Sequence, residues 1–142
     1  HMIGKLQTNK VKFAVQIFDY IHSVDSEKLA KKILDEQNKI NKKIKIFLQV
    51  NIGNENQKSG INKNEVNQLV SYCTKIGLDL VGLMCIPPAN IDPEDYFDEM
   101  NKLNKCLGFA ELSMGMSLDY LKAIKYEATF VRIGSSIFGQ RY

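Results

Sequence analysis

A turn of small polar residues follows an apolar stretch near the C-terminus of the chain. Gly134, Ser135 and Ser136 come directly after Arg132 and Ile133, and a short helical stretch begins there. Backbone N–H groups at such a turn are free to bind an anion, and glycine lets a phosphate group approach the backbone closely. An ordinary strand-to-helix turn with a serine cap would have the same local sequence. The pattern therefore indicates a phosphate or sulfate site, with the capped turn as the alternative.

A second turn of this kind comes one strand earlier in the chain. Leu112 is followed by Ser113 and Gly115, and Ser117 is placed to cap the next helix. Simple helix capping again explains the pattern without a ligand. The two turns support each other, because consecutive strands of a parallel sheet place their carboxyl ends on one rim. We expect the hydroxyl and N–H groups of both turns to face the same anion.

Three further positions are weaker candidates. Asn51 ends a buried apolar stretch and could contact a ligand, although the loop beyond it, with Glu55 and Lys58, reads equally well as a solvated loop. His1 opens the first apolar stretch of the chain. His22 lies inside the second one, where a lone histidine is usually a packed or hydrogen-bonded core residue. Local sequence therefore predicts no catalytic histidine.

Alternating apolar and amphipathic segments must position these residues. The clearest strand covers residues 44–52, which are apolar and rich in β-branched side chains, as in a strand covered on both faces. Strands are expected at residues 2–4, 20–24, 44–52, 80–86, 111–114 and 129–133. Helices are expected at about residues 9–17, from Ser26, at 63–76, from Asp92-Pro93, at 117–126 with Ser117 as the cap, and after residue 134.

This alternation predicts a parallel sheet with right-handed crossovers, in a single domain that covers residues 1–142. A doubly wound sheet and a TIM-type (β/α)8 barrel both fit the pattern. The six expected units are two fewer than a closed barrel contains, and a barrel typically takes ~250 residues. Periodicity alone leaves the two architectures equally open.

Composition excludes several classes of protein. The formal net charge is only +3 and the lysines are scattered, so no nucleic-acid-binding face is expected. No apolar run reaches the ~18 residues of a membrane-spanning helix, so no membrane partner is expected. Cys73, Cys85 and Cys106 have no disulfide or zinc spacing and read as buried reduced thiols of a cytoplasmic protein. Walker, G-x-S-x-G, H-E-x-x-H and dinucleotide-binding motifs are absent from the sequence.

Longer motifs run in order along the whole chain. They are H-x-I-G-x-L-Q-x-N-K at residues 1–10, S-V-D at 23–25, Q-V-N at 49–51, K-S-G at 58–60, G-L-M-x-I-P at 82–87, L-S-M-G-M-S-x-D at 112–119 and V-R-I-G-x-x-I-F-G-x-R at 131–141. Together these motifs resemble the pyridoxal phosphate homeostasis proteins, which are related to the N-terminal barrel of alanine racemase.

The resemblance implies a barrel of the alanine racemase type that binds pyridoxal 5′-phosphate (PLP) and buffers it or hands it on, without enzymatic turnover. It assigns Arg132 to the ring nitrogen or the phosphate of the cofactor. The residues that it places around the phosphate are Ser113, Gly115, Gly134 and Ser135. The residues that it places along the rest of the pocket, on weaker grounds, are Asn51, Met84 and His1.

Members of this family carry a Schiff-base lysine at the end of their first strand, ahead of the segment where the sequence in hand begins. We therefore expect a truncated barrel that lacks the first two β/α units and that lysine, and Lys5 is a poor substitute. The missing N-terminal segment or another copy of the chain could cover the exposed edges. The alternatives are a fragment of an alanine-racemase-like PLP enzyme and a vestigial chain that binds no cofactor.

Overall fold

The structure is a computed structural model that describes residues 1–55 and 59–139. Its helices are α1 (Val11–Ile17), α2 (Glu27–Lys39), α3 (Val66–Lys75), α4 (Glu94–Cys106), α5 (Tyr120–Lys125) and α6 (Ser135–Phe138). Its strands are β1 (Tyr20–Val24), β2 (Lys45–Asn51), β3 (Ile61–Asn62), β4 (Asp79–Cys85), β5 (Glu111–Met116) and β6 (Phe130–Arg132). Short 3-10 turns, Thr8–Lys10 and Lys63–Glu65, lead into α1 and α3.

The strands form one parallel sheet in the order β1-β2-β4-β5-β6, with the two-residue β3 paired to β2. The prediction of a parallel α/β sheet is therefore confirmed. The predicted strand at residues 2–4 is wrong in extent, since only Met2 pairs, through an isolated parallel bridge to Ile21. β3 was not predicted, because two residues inside a polar loop carry no periodic signal.

Local sequence explains how the longer helices begin and which face they bury. At the start of α2, Ser26 Oγ accepts a hydrogen bond from the Leu29 backbone N–H (3.3 Å), as an N-cap serine should. Leu29 and Ile33 then lie four residues apart on the buried face of that helix. Glu94 and Asp95 occupy the first turn of α4, where the helix dipole favours negative charge.

Two predicted helix starts need correction. α5 begins at Tyr120, and Ser117 makes no capping bond to it; its hydroxyl is used elsewhere, as described below. α4 begins at Glu94, so Pro93 is the N-cap residue instead of the first helical one. In both cases the sequence pattern located the turn correctly but not the first helical residue.

The sheet has an apolar face against the helices and a second, inner face that is rich in rings. Core residues such as Ile46, Leu48 and Leu83 pack under the helices and are fully buried. On the inner face, five rings lie within 6.4 Å of one another, centroid to centroid, along successive contacts: His1, Tyr20, His22, Phe47 and Phe130. These five rings form the inner face.

Large apolar side chains remain exposed near both edges of the sheet. Beside β1, the exposed residues are Phe13 and Ile17 on α1. Beside β6, they are Leu118, Leu121 and Ile124 around α5 and Ile137 and Phe138 on α6. Exposed apolar surface of this kind marks a contact site.

The remaining composition-based expectations can be compared with the described residues. Cys73 and Cys85 are buried free thiols, as expected, whereas Cys106 is exposed, which corrects that part of the prediction. None of the described helices has the length and apolar character that crossing a bilayer requires. The described residues also contain no group of His, Cys, Asp and Glu side chains that could hold a metal ion.

Candidate functional site

A cavity of about 1130 Å3 opens at the carboxyl ends of β4, β5 and β6. Its walls come from the β4–α4 loop, residues 86–91, and from the β5–α5 turn, residues 116–119. Arg132, Gly134 and Ser135 line it from the last strand and turn, as the sequence predicted for the rim of a parallel sheet. The two turns therefore meet at one cavity, the second of them through Ser117.

Arg132 is fixed at two points. Its Nη1 donates a hydrogen bond to Ser113 Oγ and its Nη2 donates one to the Cys85 carbonyl oxygen. The donor–acceptor distance is 2.8 Å in both bonds. Burial lowers the pKa of Arg132 from its usual value, but a guanidinium remains protonated in proteins. The cavity therefore contains a permanent positive charge whose orientation is set by neighbouring strands.

The N–H groups of the last turn converge on one oxygen atom. Gly134 N and Ser136 N donate hydrogen bonds to Ser117 Oγ, with donor–acceptor distances of 3.2 and 3.3 Å. A Cβ added to Gly134 would meet no atom within 4 Å, so the space beside its Cα is open. Two convergent N–H groups, a hydroxyl and open space beside a glycine suit an anion such as phosphate or sulfate. Sequence analysis assigned Ser117 only as a helix cap and so missed its place in this turn.

Ser113 and Gly115 lie on β5 but do not line the cavity. Ser113 is completely buried and contacts Arg132, which places it behind the guanidinium. Gly115 has φ of +92°, and a Cβ there would come within 2.6 Å of Ala123 Cβ and 3.0 Å of Tyr120 Cα. Gly115 thus lets α5 pack closely on β5. Their direct contact with a cofactor stays a prediction.

Met84 and Asn51 are also set back from the cavity lining. Met84 is fully buried on β4, paired in register with Ser113 of β5. Asn51 closes the turn after β2: its Nδ2 donates to the Glu55 carbonyl (2.8 Å), and its Oδ1 accepts from the Glu55 N–H (3.1 Å). Lys58 and Arg141, which belong to the matched motifs, lie outside the described residues.

His1 and His22 lie on the inner face behind Ser113. His22 is 1% exposed, and its Nδ1 is 2.8 Å from Ser113 Oγ while its Nε2 is 3.0 Å from His1 Nδ1. The interpretation of His22 as a packed, hydrogen-bonded residue agrees with this placement. Burial, and then the positive charge of Arg132, lower the pKa of His22 to about 4. His22 is therefore neutral at neutral pH.

Among the described residues, Lys122 is the one lysine that lines the cavity. Its Nζ is 3.0 Å from Asp92 Oδ1 and 3.7 Å from Glu94 Oε1. The hydrogen bond to Asp92 raises the pKa of Lys122, which keeps the amine protonated and unsuited to attack an aldehyde. Lys5 does not line the cavity. Thus no lysine that the structure describes at the cavity is prepared to form a Schiff base.

A second, smaller cavity of about 350 Å3 lies between the β1–α2 and β2–α3 connections. Three carboxylates line it, those of Asp25, Glu27 and Glu65. Negative charge of this density disfavours a phosphorylated ligand, so the larger cavity is the candidate anion site.

The alanine racemase N-terminal domain family matches residues 2–142 of this chain. A curated relative from Aquifex aeolicus, named pyridoxal phosphate homeostasis protein, is 38% identical over 151 residues, covering 99% of the chain and 66% of the relative. This chain belongs to the pyridoxal phosphate homeostasis protein family. The chain spans just under two thirds of the first curated relatives, 66%, 64% and 65% of their lengths.

Solved structures agree with this family membership. PipY of Synechococcus elongatus, solved with PLP bound, has a TM-score of 0.81 and 32% identity, covering 96% of the chain and 68% of PipY. An alanine racemase of Clostridium difficile has a TM-score of 0.73 at 16% identity, covering 97% of the chain and 38% of the racemase. The second likeness shows the fold alone: an alanine-racemase-like α/β fold with a parallel sheet.

Proposed function

We propose that the cavity at the ends of β4, β5 and β6 is the phosphate and ring end of a PLP-binding site. The observation that carries the proposal is the fixed guanidinium of Arg132 beside the convergent N–H groups of Gly134 and Ser136. A bound phosphate would replace Ser117 Oγ as the acceptor of these N–H groups and would accept from the Ser117 hydroxyl, and Ser135 lies in the same turn. Arg132 would face the ring nitrogen.

The chemistry of these groups fits that cofactor. PLP supplies an aldehyde that forms imines with amines, and its ring acts as an electron sink most strongly when the ring nitrogen is protonated. A guanidinium has only donors, so Arg132 disfavours a proton on that nitrogen. The PLP complex of PipY, which is 32% identical, supports the assignment. Ser113 would then act through Arg132, and direct cofactor contacts of Gly115, Asn51, Met84 and His1 stay predictions.

The proposed role is to hold and release the cofactor without catalytic turnover. The curated relatives are named as homeostasis proteins and not as enzymes. A racemase-like reaction would need a lysine imine and an opposing acid or base. The lysine that lines the cavity, Lys122, is bound to carboxylates, and the buried His22 is not among the lining residues. These placements favour binding over an alanine-racemase-like enzyme.

We further propose that these residues form six units, one domain, of an eight-unit barrel whose Schiff-base lysine belongs to an earlier segment. The exposed apolar residues beside β1 and β6 would contact that segment, or a second copy of the chain in its place. Phosphate or sulfate alone should occupy the anion end. The alternative is a vestigial chain that binds neither cofactor nor anion, and the phosphate titration described next distinguishes the two.

The test is a titration of the 142-residue chain with inorganic phosphate, followed by NMR. A few charge-assisted hydrogen bonds without a covalent link should give a Kd of ~0.1–1 mM. The largest shifts should fall on the amides of Gly134, Ser135 and Ser136. Arg132→Ala should weaken binding because it removes a positive charge from the cavity, an effect that does not depend on the orientation of the guanidinium.

Lys102→Ala is the matched control, because it removes an exposed cation that pairs with Asp98 on α4 and does not line the cavity. Its titration should match that of the unmodified chain. Shifts that spread over surface lysines, or an equal effect of both variants, would contradict the assignment.

A further inference from the structure

The side chain of Arg132 begins a series of hydrogen bonds that runs away from the cavity. Nη1 of Arg132 is 2.8 Å from Ser113 Oγ, which is 2.8 Å from His22 Nδ1. His22 Nε2 is in turn 3.0 Å from His1 Nδ1. The series joins β6 to β5 and to β1, across the inner face. His22 and Ser113 are 91 residues apart in the sequence, so only the folding of the chain into one sheet brings them together.

The direction of these bonds follows from the donors available. A guanidinium has no acceptor, so the Ser113 oxygen must accept from Arg132. The single hydroxyl proton of Ser113 then goes to the nearest acceptor, His22 Nδ1. Neutral imidazole has one donor and one acceptor nitrogen, which puts the His22 proton on Nε2, facing His1 Nδ1. Every donor therefore points from Arg132 toward His1.

The reverse direction is unfavourable. If His22 Nδ1 carried the proton, the Ser113 oxygen would accept twice, and no other described residue accepts its buried proton. A doubly protonated His22 would have the same fault and would place a second positive charge beside Arg132. Burial and that charge hold the pKa of His22 at about 4, which excludes the doubly protonated form at neutral pH.

No carboxylate among the described residues acts on His22 to reverse this preference. The groups around its ring are His1, Tyr20, Phe47 and Phe130, together with Arg132 through Ser113. Tyr20 OH accepts from Lys45 Nζ (3.1 Å), so Tyr20 brings no negative charge to the ring.

We propose that His22 is a positioning residue for Arg132: by accepting the Ser113 hydroxyl proton it turns the Ser113 oxygen toward Nη1. With Nη2 held by the Cys85 carbonyl, this second point fixes the plane of the guanidinium. The inference deepens the proposed function, on which it rests for the view that Arg132 faces the ring nitrogen. A ring ligand should then depend on His22, while a bare anion at Gly134 should not.

The experiment compares two probes on the 142-residue chain: inorganic phosphate and pyridoxine 5′-phosphate, which has the ring and phosphate of PLP but no aldehyde. His22→Phe keeps an aromatic ring but removes the acceptor. It should weaken pyridoxine 5′-phosphate by about tenfold, the loss expected for one hydrogen bond to a charged group, and change phosphate affinity less than about twofold. His22→Asn, whose amide oxygen can take the place of Nδ1, should restore most of the ring-ligand affinity.

Tyr20→Phe is the matched control, because it removes an inner-face hydroxyl outside the series of hydrogen bonds and should change neither affinity. An independent readout is the 15N spectrum of the ligand-free chain, in which His22 should carry its proton on Nε2. His22→Asn should also keep the slow exchange of the Arg132 side-chain N–H groups with water.

The outcomes separate the two proposals. Equal weakening of both probes by His22→Phe, or a proton on Nδ1, would overturn the positioning role while leaving the binding site intact. If the unmodified chain binds neither probe, the proposed function fails, and the His22 tautomer and the Arg132 exchange rates still decide the positioning role. If His22→Phe does not fold, the ligand affinities of His22→Asn and the 15N spectrum of the unmodified chain still test the positioning role.

Discussion

At the scale of single residues, a neutral histidine and a charged arginine share one hydroxyl. Arg132 keeps its proton, so the positive charge cannot be removed, and His22 has to remain neutral. This arrangement is compatible with a ring ligand at neutral pH, but it makes the fold sensitive to acid. Stability and orientation of the site thus depend on the same protonation state.

The buried His22 should make the folded chain less stable as pH falls. Its pKa is about 4 in the folded chain against an ordinary 6.5 when unfolded, so below 6.5 the unfolded chain binds a proton that the folded chain does not. The contribution of the neutral His22 to the free energy of unfolding is fully present well above pH 6.5 and is lost as the pH falls toward 4. Between pH 7 and pH 5 the loss from His22 should be about 2 kcal/mol.

Urea unfolding at both pH values tests this expectation on the native chain and on His22→Asn. The variant should lose about 2 kcal/mol less between pH 7 and pH 5. Carboxylates such as Glu36, whose pKa hydrogen bonds from Lys32 and Lys39 lower to about 2, are common to both proteins and cancel. Identical pH dependence in the two proteins would rule out the neutral buried histidine.

At the scale of elements, the approach of α5 to β5 determines the shape of the cavity. Gly115 permits that approach, and the turn between them carries Ser117 to the N–H groups of Gly134 and Ser136. Asp119 Oδ1 accepts from the Met116 N–H (2.6 Å), which holds the same turn in place. A small displacement of α5 would therefore separate the groups proposed to bind phosphate.

Gly115→Ala should destabilise the fold and weaken phosphate binding together. The new Cβ would come within 2.6 Å of Ala123 Cβ, and the residue would remain at φ of +92°, so we expect a loss of about 2 kcal/mol or more. Gly108→Ala is the control, since it also has a positive φ, +76°, but meets no atom within 4 Å.

Urea midpoints and phosphate titrations of the two variants provide the comparison. Gly108→Ala should cost about 1 kcal/mol from its backbone conformation alone and leave binding unchanged. A Gly115→Ala protein as stable as the Gly108→Ala protein would show that α5 is free to move away from β5.

At the scale of the whole molecule, the sheet has two edges with exposed apolar side chains beside each. Leu118 is fully exposed and Leu121 is 64% exposed beside β6, while Ile17 is 70% exposed beside β1. Unpaired strand edges together with apolar surface favour association. The 142-residue chain is therefore expected to contact another polypeptide at these surfaces.

By itself the 142-residue chain should associate in a concentration-dependent way. Replacing Leu121 and Ile124 with Lys should reduce the association, because it places two charges on the exposed face of α5. The control is Lys31→Gln, an exposed change on α2, which packs against α1 and α3 on the other side of the sheet order from α5. Light scattering over a hundredfold range of concentration is the measurement. A monomer throughout that range, with a melting temperature independent of concentration, would contradict the expectation.

Sequence by itself determined the order of strands and helices, the parallel sheet, the family and the two turns that meet at the cavity. Each of these follows from local patterns, namely the periodicity of apolar residues, turn residues and contiguous motifs such as residues 131–139. It also located Arg132 and Gly134 at the rim, because strand ends in a parallel sheet share one edge. The exact helix starts, such as Tyr120 in place of Ser117, were beyond local pattern.

Only the tertiary structure decided which side chains stand behind the cavity. In a sheet covered on both faces, polar and apolar residues do not alternate, so sequence gives no sign of which face a side chain takes. Nothing local therefore indicated that Ser113 would lie behind Arg132, that His22 would reach Ser113 from 91 residues away, or that Gly115 would serve packing. Those contacts arise from strand register and from close packing between distant segments, which no local pattern records.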